Sequence, residues 1–129
     1  SGILAIYAAK LGSHNVRGVD NDPLAVETAI RNAELNGVAS VTDFTGTPLA
    51  ELCQTQYDVV LANIIAPVIL ELFDDMCLRL TRGGYFLASG LIEKSVGVVA
   101  ERMKSAGFTD IQQLQDGDWY ALRGVYGNL

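Results

Sequence analysis

Asp20 closes the stretch Val16 to Asp20, which reads as a short strand, and a carboxylate at that place can accept hydrogen bonds from both hydroxyls of a ribose. That chemistry suits any adenosine-bearing cofactor. The plainer alternative is a turn acid that helps Asp22 start a helix. Asn63 follows a second apolar run, Tyr57 to Ala62, and its carboxamide offers a donor and an acceptor together. Such a group can orient an amine about to be alkylated, or it can simply end the strand and tie down the loop to Pro67. Asp43 and Phe44 stand at the end of the strand Val41 to Phe44, where an acid can meet an adenine amino group and an aromatic ring can cover its face. Apolar burial accounts for Phe44 equally well. Ser1 and Gly2 lie directly before a helix, as the tail of a glycine-rich loop that admits a cofactor to the backbone, or as an ordinary N-cap. His14, the only histidine, has no Ser, Cys or Asp partner at a triad or metal-site spacing and is read as a surface loop residue. Trp119 suits either the substrate end of a cleft or the core, with the core favoured, and Met76 and Met103 belong to helical core stripes.

These residues need elements to hold them. Ser1 to Leu11 reads as a helix through Ile3, Leu4, Tyr7, Ala8 and Leu11, with Gly12 as its stop. A second helix starts at the cap Asp22 and Pro23, presents Val26, Ala29, Ile30 and Ala33, and ends at Asn36 and Gly37. Leu49 to Cys53 is a predicted short helix after the Gly46-Thr47-Pro48 turn. Tyr57 to Ala62, too short for a helix, suits a buried parallel strand. Pro67 opens a helix with the stripe Ile69, Leu72, Phe73, Met76 and Leu80, and Gly83-Gly84 leads into the strand Tyr85 to Ser89. Glu93 to Ala106 is helical by its Val96, Val99, Ala100 and Met103 spacing, with Gly107 as its end. Phe108 to Gln115, a turn at Asp116-Gly117 and Trp119 to Tyr126 read as an antiparallel hairpin. Strands joined by crossover helices run parallel, so the expected fold is α/β, a Rossmann-like doubly wound, mostly parallel sheet ending in an antiparallel hairpin. In such sheets the ligand lies beyond the carboxyl ends of the strands, where the candidate residues fall.

Composition narrows the partners. The 129 residues are 50% hydrophobic, and 9 Lys+Arg against 15 Asp+Glu leave a formal charge of −6. With a sequence pI near 4.5, this argues against a protein whose main task is gripping a phosphate backbone, so no nucleic-acid specificity is expected. Mean hydropathy is +0.25, yet the longest apolar stretch, Val59 to Phe73, is broken by Asn63, Pro67 and Glu71. It falls short of the roughly 18 apolar residues of a membrane helix. Cys53 and Cys77 show no metal or redox spacing and are read as reduced, buried thiols of a cytoplasmic protein.

SGILAIYAAKLG, VRGVDNDPLAVETAIRNAELNG, YDVVLANIIAPVILEL, RGGYFLASGLIEK and DGDWYALRG together resemble the catalytic domain of the bacterial PrmA-type enzymes, the ribosomal protein L-eleven methyltransferases. The second segment alone indicates only class I S-adenosylmethionine-dependent methyltransferases; ANIIA, SGLIEK and GDWYAL are more specific. The resemblance implies an enzyme that moves methyl groups from S-adenosyl-L-methionine to lysine and N-terminal amines of a large-subunit ribosomal protein. It places Asp20 at the cofactor ribose and Asn63 at the cofactor and acceptor site.

The family's glycine-rich motif begins with a strand and a D-x-G-C-G-like segment ahead of the Ser-Gly, and this sequence starts at Ser1. The resemblance therefore implies that residues 1–129 form a partial methyltransferase domain, without the first catalytic strand and the N-terminal substrate-recognition domain. Open central strands would then invite self-association, and the isolated chain would bind cofactor poorly and turn over negligibly. Three other readings stand beside this one. They are a methyltransferase for another protein or a nucleic-acid base, a dinucleotide-dependent oxidoreductase, and a non-catalytic remnant.

Overall fold

The computed structural model describes residues 1–52 and 55–127, and the chain divides into two units, Ser1–Leu52 and Cys53–Leu129. The first unit runs α1 (Ile3–Lys10), β1 (Val16–Val19), α2 (Pro23–Leu35), β2 (Thr42–Thr45) and a single 3-10 turn, Leu49–Glu51. That turn replaces the helix expected over Leu49 to Cys53, and Cys53 lies outside the described residues. β1 and β2 pair in parallel from Val16↔Thr42 to Val19↔Thr45. Ile6 and Ala9 of α1, Ala33 of α2 and Val38 make the core of this unit, with Val16, Val41 and Phe44 packed against it.

α2 starts where local chemistry says it should. The Asp22 carboxylate accepts the Leu24 N–H at 3.0 Å, and Pro23 occupies the first turn, where its missing N–H costs nothing. Its end is a Schellman closure, with the Val38 N–H donating to the Ala33 carbonyl and the Gly37 N–H to that of Glu34. Replacing Asp22 by Ala is expected to destabilise the protein by about 1 kcal/mol, read as a lower urea midpoint at unchanged slope. α1 departs from expectation. Ile3, Leu4, Tyr7 and Leu11, read from the sequence as its packing stripe, are exposed, and Ile6 and Ala9 are the buried positions.

The second unit runs β3 (Tyr57–Asn63), α3 (Ala66–Cys77), β4 (Leu80–Leu91), α4 (Glu93–Ser105), β5 (Phe108–Asp116) and β6 (Trp119–Tyr126). Its four-stranded sheet has the order β3-β4-β6-β5, with β3 and β4 parallel and β6 antiparallel to both of its neighbours. The expected hairpin is present, with its turn one residue later than expected, at Gly117-Asp118, because Asp116 belongs to β5 and pairs with Trp119, and its second strand is inserted beside β4. Phe86 and Gly124 are register partners. Phe73 of α3 packs edge-on to Phe86, and a Cβ on Gly124 would meet Met103 of α4, so both helices cover the same face. Ile69, Phe73, Val99, Met103, Phe86, Ala88 and Leu122 are buried there. Within this unit α3 and α4 cover the sheet on that one face.

β4 is much longer than Tyr85 to Ser89. Leu80, counted in the sequence as the last residue of the α3 stripe, is a strand residue paired with Tyr57. Residues 81–84 are absorbed by a register shift between Tyr57 and Val59, so Gly83-Gly84 marks an irregularity inside a strand rather than a turn before one. Trp119, favoured for the core, is 60% exposed at the start of β6.

Candidate functional site

In the first unit the candidate residues gather around the ends of β1 and α1. The Asp20 N–H donates to the Thr45 carbonyl at 3.1 Å, which carries the parallel ladder one residue past β1 and fixes Asp20 at its carboxyl end. Asp20 Oδ1 accepts the Asp22 N–H at 3.0 Å, and Oδ2 has no partner among the described residues. The turn-forming and ligand-facing readings of Asp20 are thus compatible, because one oxygen makes the turn and the other is left to accept.

Gly2 is the N-cap of α1, with φ +73° and no side-chain cap, so the first N–H groups of the helix have no side chain over them. The Ser1 carbonyl accepts a hydrogen bond from Asn32 Nδ2 at 3.1 Å, and the Gly2 carbonyl accepts the Ile6 N–H at 2.9 Å. Phe44 comes to this place from β2. A Cβ built on Gly2 would stand 3.0 Å from the Phe44 ring, and one on Gly18 would stand 2.5 Å from it. The ring therefore lies flush on two glycines, and the structure brings Ser1, Gly2 and Phe44 together.

Asp43 and Phe44 were expected at a strand end; β2 continues to Thr45, so both lie inside the strand. Asp43 sits opposite Arg17 in the ladder and is bound to its guanidinium at 2.9 Å. The groups at the carboxyl end of β2 are instead Thr45, Gly46 and Thr47. The Thr45 hydroxyl donates to Thr47 Oγ1 at 2.9 Å and accepts the Thr47 N–H at 3.1 Å. Gly46 closes against the Asp20 carbonyl, where a Cβ would lie at 3.5 Å. Sequence reading passed over these threonines because a Thr-Gly-Thr segment before a proline reads first as a turn. His14 is exposed, as expected.

In the second unit Asn63 is the last residue of β3 and is exposed. Its ladder partner is Ser89 on β4, and its carboxamide has no hydrogen-bond partner among the described residues. β6 returns to the same end of the sheet, since Tyr120 pairs with Leu91, so the hairpin turn and the exposed Trp119 share the carboxyl edge of β3 and β4. Cys77, at the end of α3, is partly buried. Burial and then the neighbouring Asp74 carboxylate push its thiol up to about 11, against a smaller opposing effect of Arg102. It is a thiol at neutral pH and no nucleophile.

Parallel strands joined through helices in each unit, with a terminal hairpin whose second strand is inserted beside the last parallel strand, are the elements of a Rossmann-like methyltransferase fold. The solved structure of a ribosomal protein L11 methylase from Lactobacillus delbrueckii subsp. bulgaricus superimposes with a TM-score of 0.89 at 27% identity, covering 97% of this chain and 64% of that one. An RNA methyltransferase from Salinibacter ruber, solved with S-adenosyl-L-homocysteine, shares the fold at a TM-score of 0.75 and 19% identity, covering 99% of this chain and 76% of that one. The family model for ribosomal protein L11 methyltransferase (PrmA) matches residues 1–126, and the chain belongs to that family. A ribosomal protein L11 methyltransferase from Clostridium botulinum (strain Eklund 17B / Type B) is 42% identical over 119 residues, which are 92% of this chain and 38% of the relative. The chain thus spans about two fifths of the length of the curated relatives it matches.

Proposed function

We propose that this chain is the cofactor-binding and methyl-transferring part of an enzyme that methylates lysine and N-terminal amines of a large-subunit ribosomal protein with S-adenosyl-L-methionine. The observation that carries the reading is the free, exposed carboxamide of Asn63 at the carboxyl end of a parallel strand, in a chain of this family. Asp20 Oδ2 is free to accept from a ribose hydroxyl, and the uncapped α1 terminus behind Gly2 admits a ligand to the backbone. Those two features fit an adenosine-bearing sulfonium. Phe44 contributes by packing Gly2 in place and by lending its ring to the adenine side. Asp43, held by Arg17, is left to the ladder in this proposal.

S-adenosyl-L-methionine, when bound, supplies an electrophilic methyl group on a sulfonium that needs no acid catalyst to leave. The protein's work is alignment. A lysine amine is protonated near neutral pH and attacks only as the free base, so the site must hold it neutral and in line with the methyl group. The Asn63 carboxamide oxygen can accept an N–H of the neutral amine and orient its lone pair; it donates no proton and takes none. The name of the Clostridium relative supports the ribosomal-protein substrate, and the ligand of the Salinibacter structure supports the cofactor. The net charge of −6 supports a protein rather than a nucleic-acid acceptor. No helix among the described residues is long and apolar enough to cross a membrane. A cytoplasmic location is part of the proposal because the proposed substrate is a ribosomal protein.

The domain reading belongs to the same proposal. β1 is paired only by β2 and β3 only by β4, so among the described residues each sheet ends in a strand with an open edge. Such edges accept a further strand or a second copy of the chain. The function is tested by incubating the complete gene product carrying this chain with methyl-tritiated S-adenosyl-L-methionine and the purified ribosomal protein. Label on lysine and the N-terminal residue is expected, and an unlabelled ribosomal protein would sink the reading.

A further inference from the structure

Gly90 follows Ser89, the residue that faces Asn63 across the β3–β4 ladder. Its φ is +75°, and a Cβ built on it would stand 2.7 Å from Asn63 Oδ1, with the Asn63 Cγ and the Ile64 carbonyl oxygen each at 3.9 Å. The first of these distances is well inside van der Waals contact. The backbone here is irregular as well. From Ala88 to Leu91, β4 advances three residues while β6 goes back only two, from Leu122 to Tyr120, so one extra residue is accommodated at Ser89-Gly90. Bulges of this kind re-aim a side chain beside a strand end, and a glycine at positive φ is how one type of them is built. No hydrogen bond among the described residues holds the Asn63 carboxamide, and its Oδ1 occupies the space where a Cβ of residue 90 would stand.

We propose that Gly90 is a positioning residue for methyl transfer: its missing side chain, at the bulge that ends β4, holds open the space in which the Asn63 carboxamide sits. The proposal rests on the reading of Asn63 given above. Adding a Cβ at position 90 would move the carboxamide rather than the sheet, because the atom it meets is the far end of an unrestrained side chain. Gly90 itself touches neither amine nor cofactor in this account, and acts only through Asn63.

A double-mutant cycle in the complete gene product tests this, using Gly90→Ala, Asn63→Ala and the pair, with kcat and KM for methylation of the ribosomal protein as the readout. Gly90→Ala is expected to lower kcat on the order of 100-fold with little change in KM for the cofactor, as a misdirected orienting group does. Because it acts through Asn63, adding it to Asn63→Ala is expected to cost nothing more. Losses that multiply would show that Gly90 works by another route and overturn the proposal, as would a Gly90→Ala enzyme with wild-type kcat. A fully active Asn63→Ala enzyme would instead remove the role of Asn63, and the proposal with it, while leaving Asp20 and the family assignment untouched. If Gly90→Ala does not fold, Gly90→Asn takes its place in the cycle, since asparagine tolerates positive φ yet carries the same Cβ.

Discussion

Asp20→Ala is expected to weaken S-adenosyl-L-homocysteine binding by roughly a hundredfold, since hydrogen bonds to a charged group are worth about 1.5–3 kcal/mol each and each 1.4 kcal/mol is tenfold. The expectation follows from the proposed role of Asp20, whose Oδ1 accepts the Asp22 N–H while Oδ2 has no partner among the described residues. Alanine removes both, so a fall in affinity could in principle come from a loosened turn. Asp20→Asn separates the two contributions. It retains a carbonyl oxygen for the Asp22 N–H and puts a neutral NH2 donor in place of the second acceptor, so the turn survives and the charged acceptor for a ribose hydroxyl does not. Calorimetric titration of the complete gene product, with circular dichroism to confirm folding, is expected to show both variants weakened alike. Wild-type affinity in Asp20→Asn would mean that this carboxylate makes the turn and nothing else.

Phe73→Ala is expected to destabilise the second unit by about 3–5 kcal/mol, the range for deleting a buried aromatic side chain. Phe73 is 0% exposed and sits at the meeting point of four elements. Its ring packs edge-on to Phe86 of β4 at 5.7 Å and tilted against Phe108 of β5 at 5.8 Å. The Arg102 guanidinium of α4 lies 4.7 Å from its centroid. No single neighbour can collapse into the space, since Phe86 and Phe108 already pack on each other at 5.9 Å. The ion pair of Arg102 with Asp74 also joins α3 to α4, but it is solvent-exposed and contributes little. Urea denaturation checks the value, with Leu35→Ala as the reference, since Leu35 is 84% exposed. A loss below about 1 kcal/mol, the typical effect of an ordinary substitution, would show that the Phe73–Phe86–Phe108 cluster is not the keystone of this unit.

The parts of the fold legible in the sequence are those whose causes are local. The start of α2 is readable because Asp22 and Pro23 satisfy the helix terminus by themselves, and its stop is readable because Gly37 closes the Schellman turn a few residues away. β6 runs from Trp119 to Tyr126 as expected, because a two-residue turn sets the register of a hairpin. Asp20 and Asn63 could be singled out because each ends a stretch that reads as a strand, and strand ends are where such folds bind ligands.

What the sequence by itself determined is therefore the alternation of helices and strands, the terminal hairpin, and the two polar residues at strand ends. Only the tertiary structure decided that β6 enters between β4 and β5, that Gly83-Gly84 lies within a strand, and that Asp43 is held by Arg17. It alone shows which face of α1 is buried, and that Gly90 leaves room for the carboxamide of Asn63, far away along the chain. The reason is the same in each case. A cap, a turn or an apolar period is written within a few neighbouring residues, whereas register, insertion and steric room depend on which distant backbone lies alongside, and that is set by packing free energy summed over whole elements.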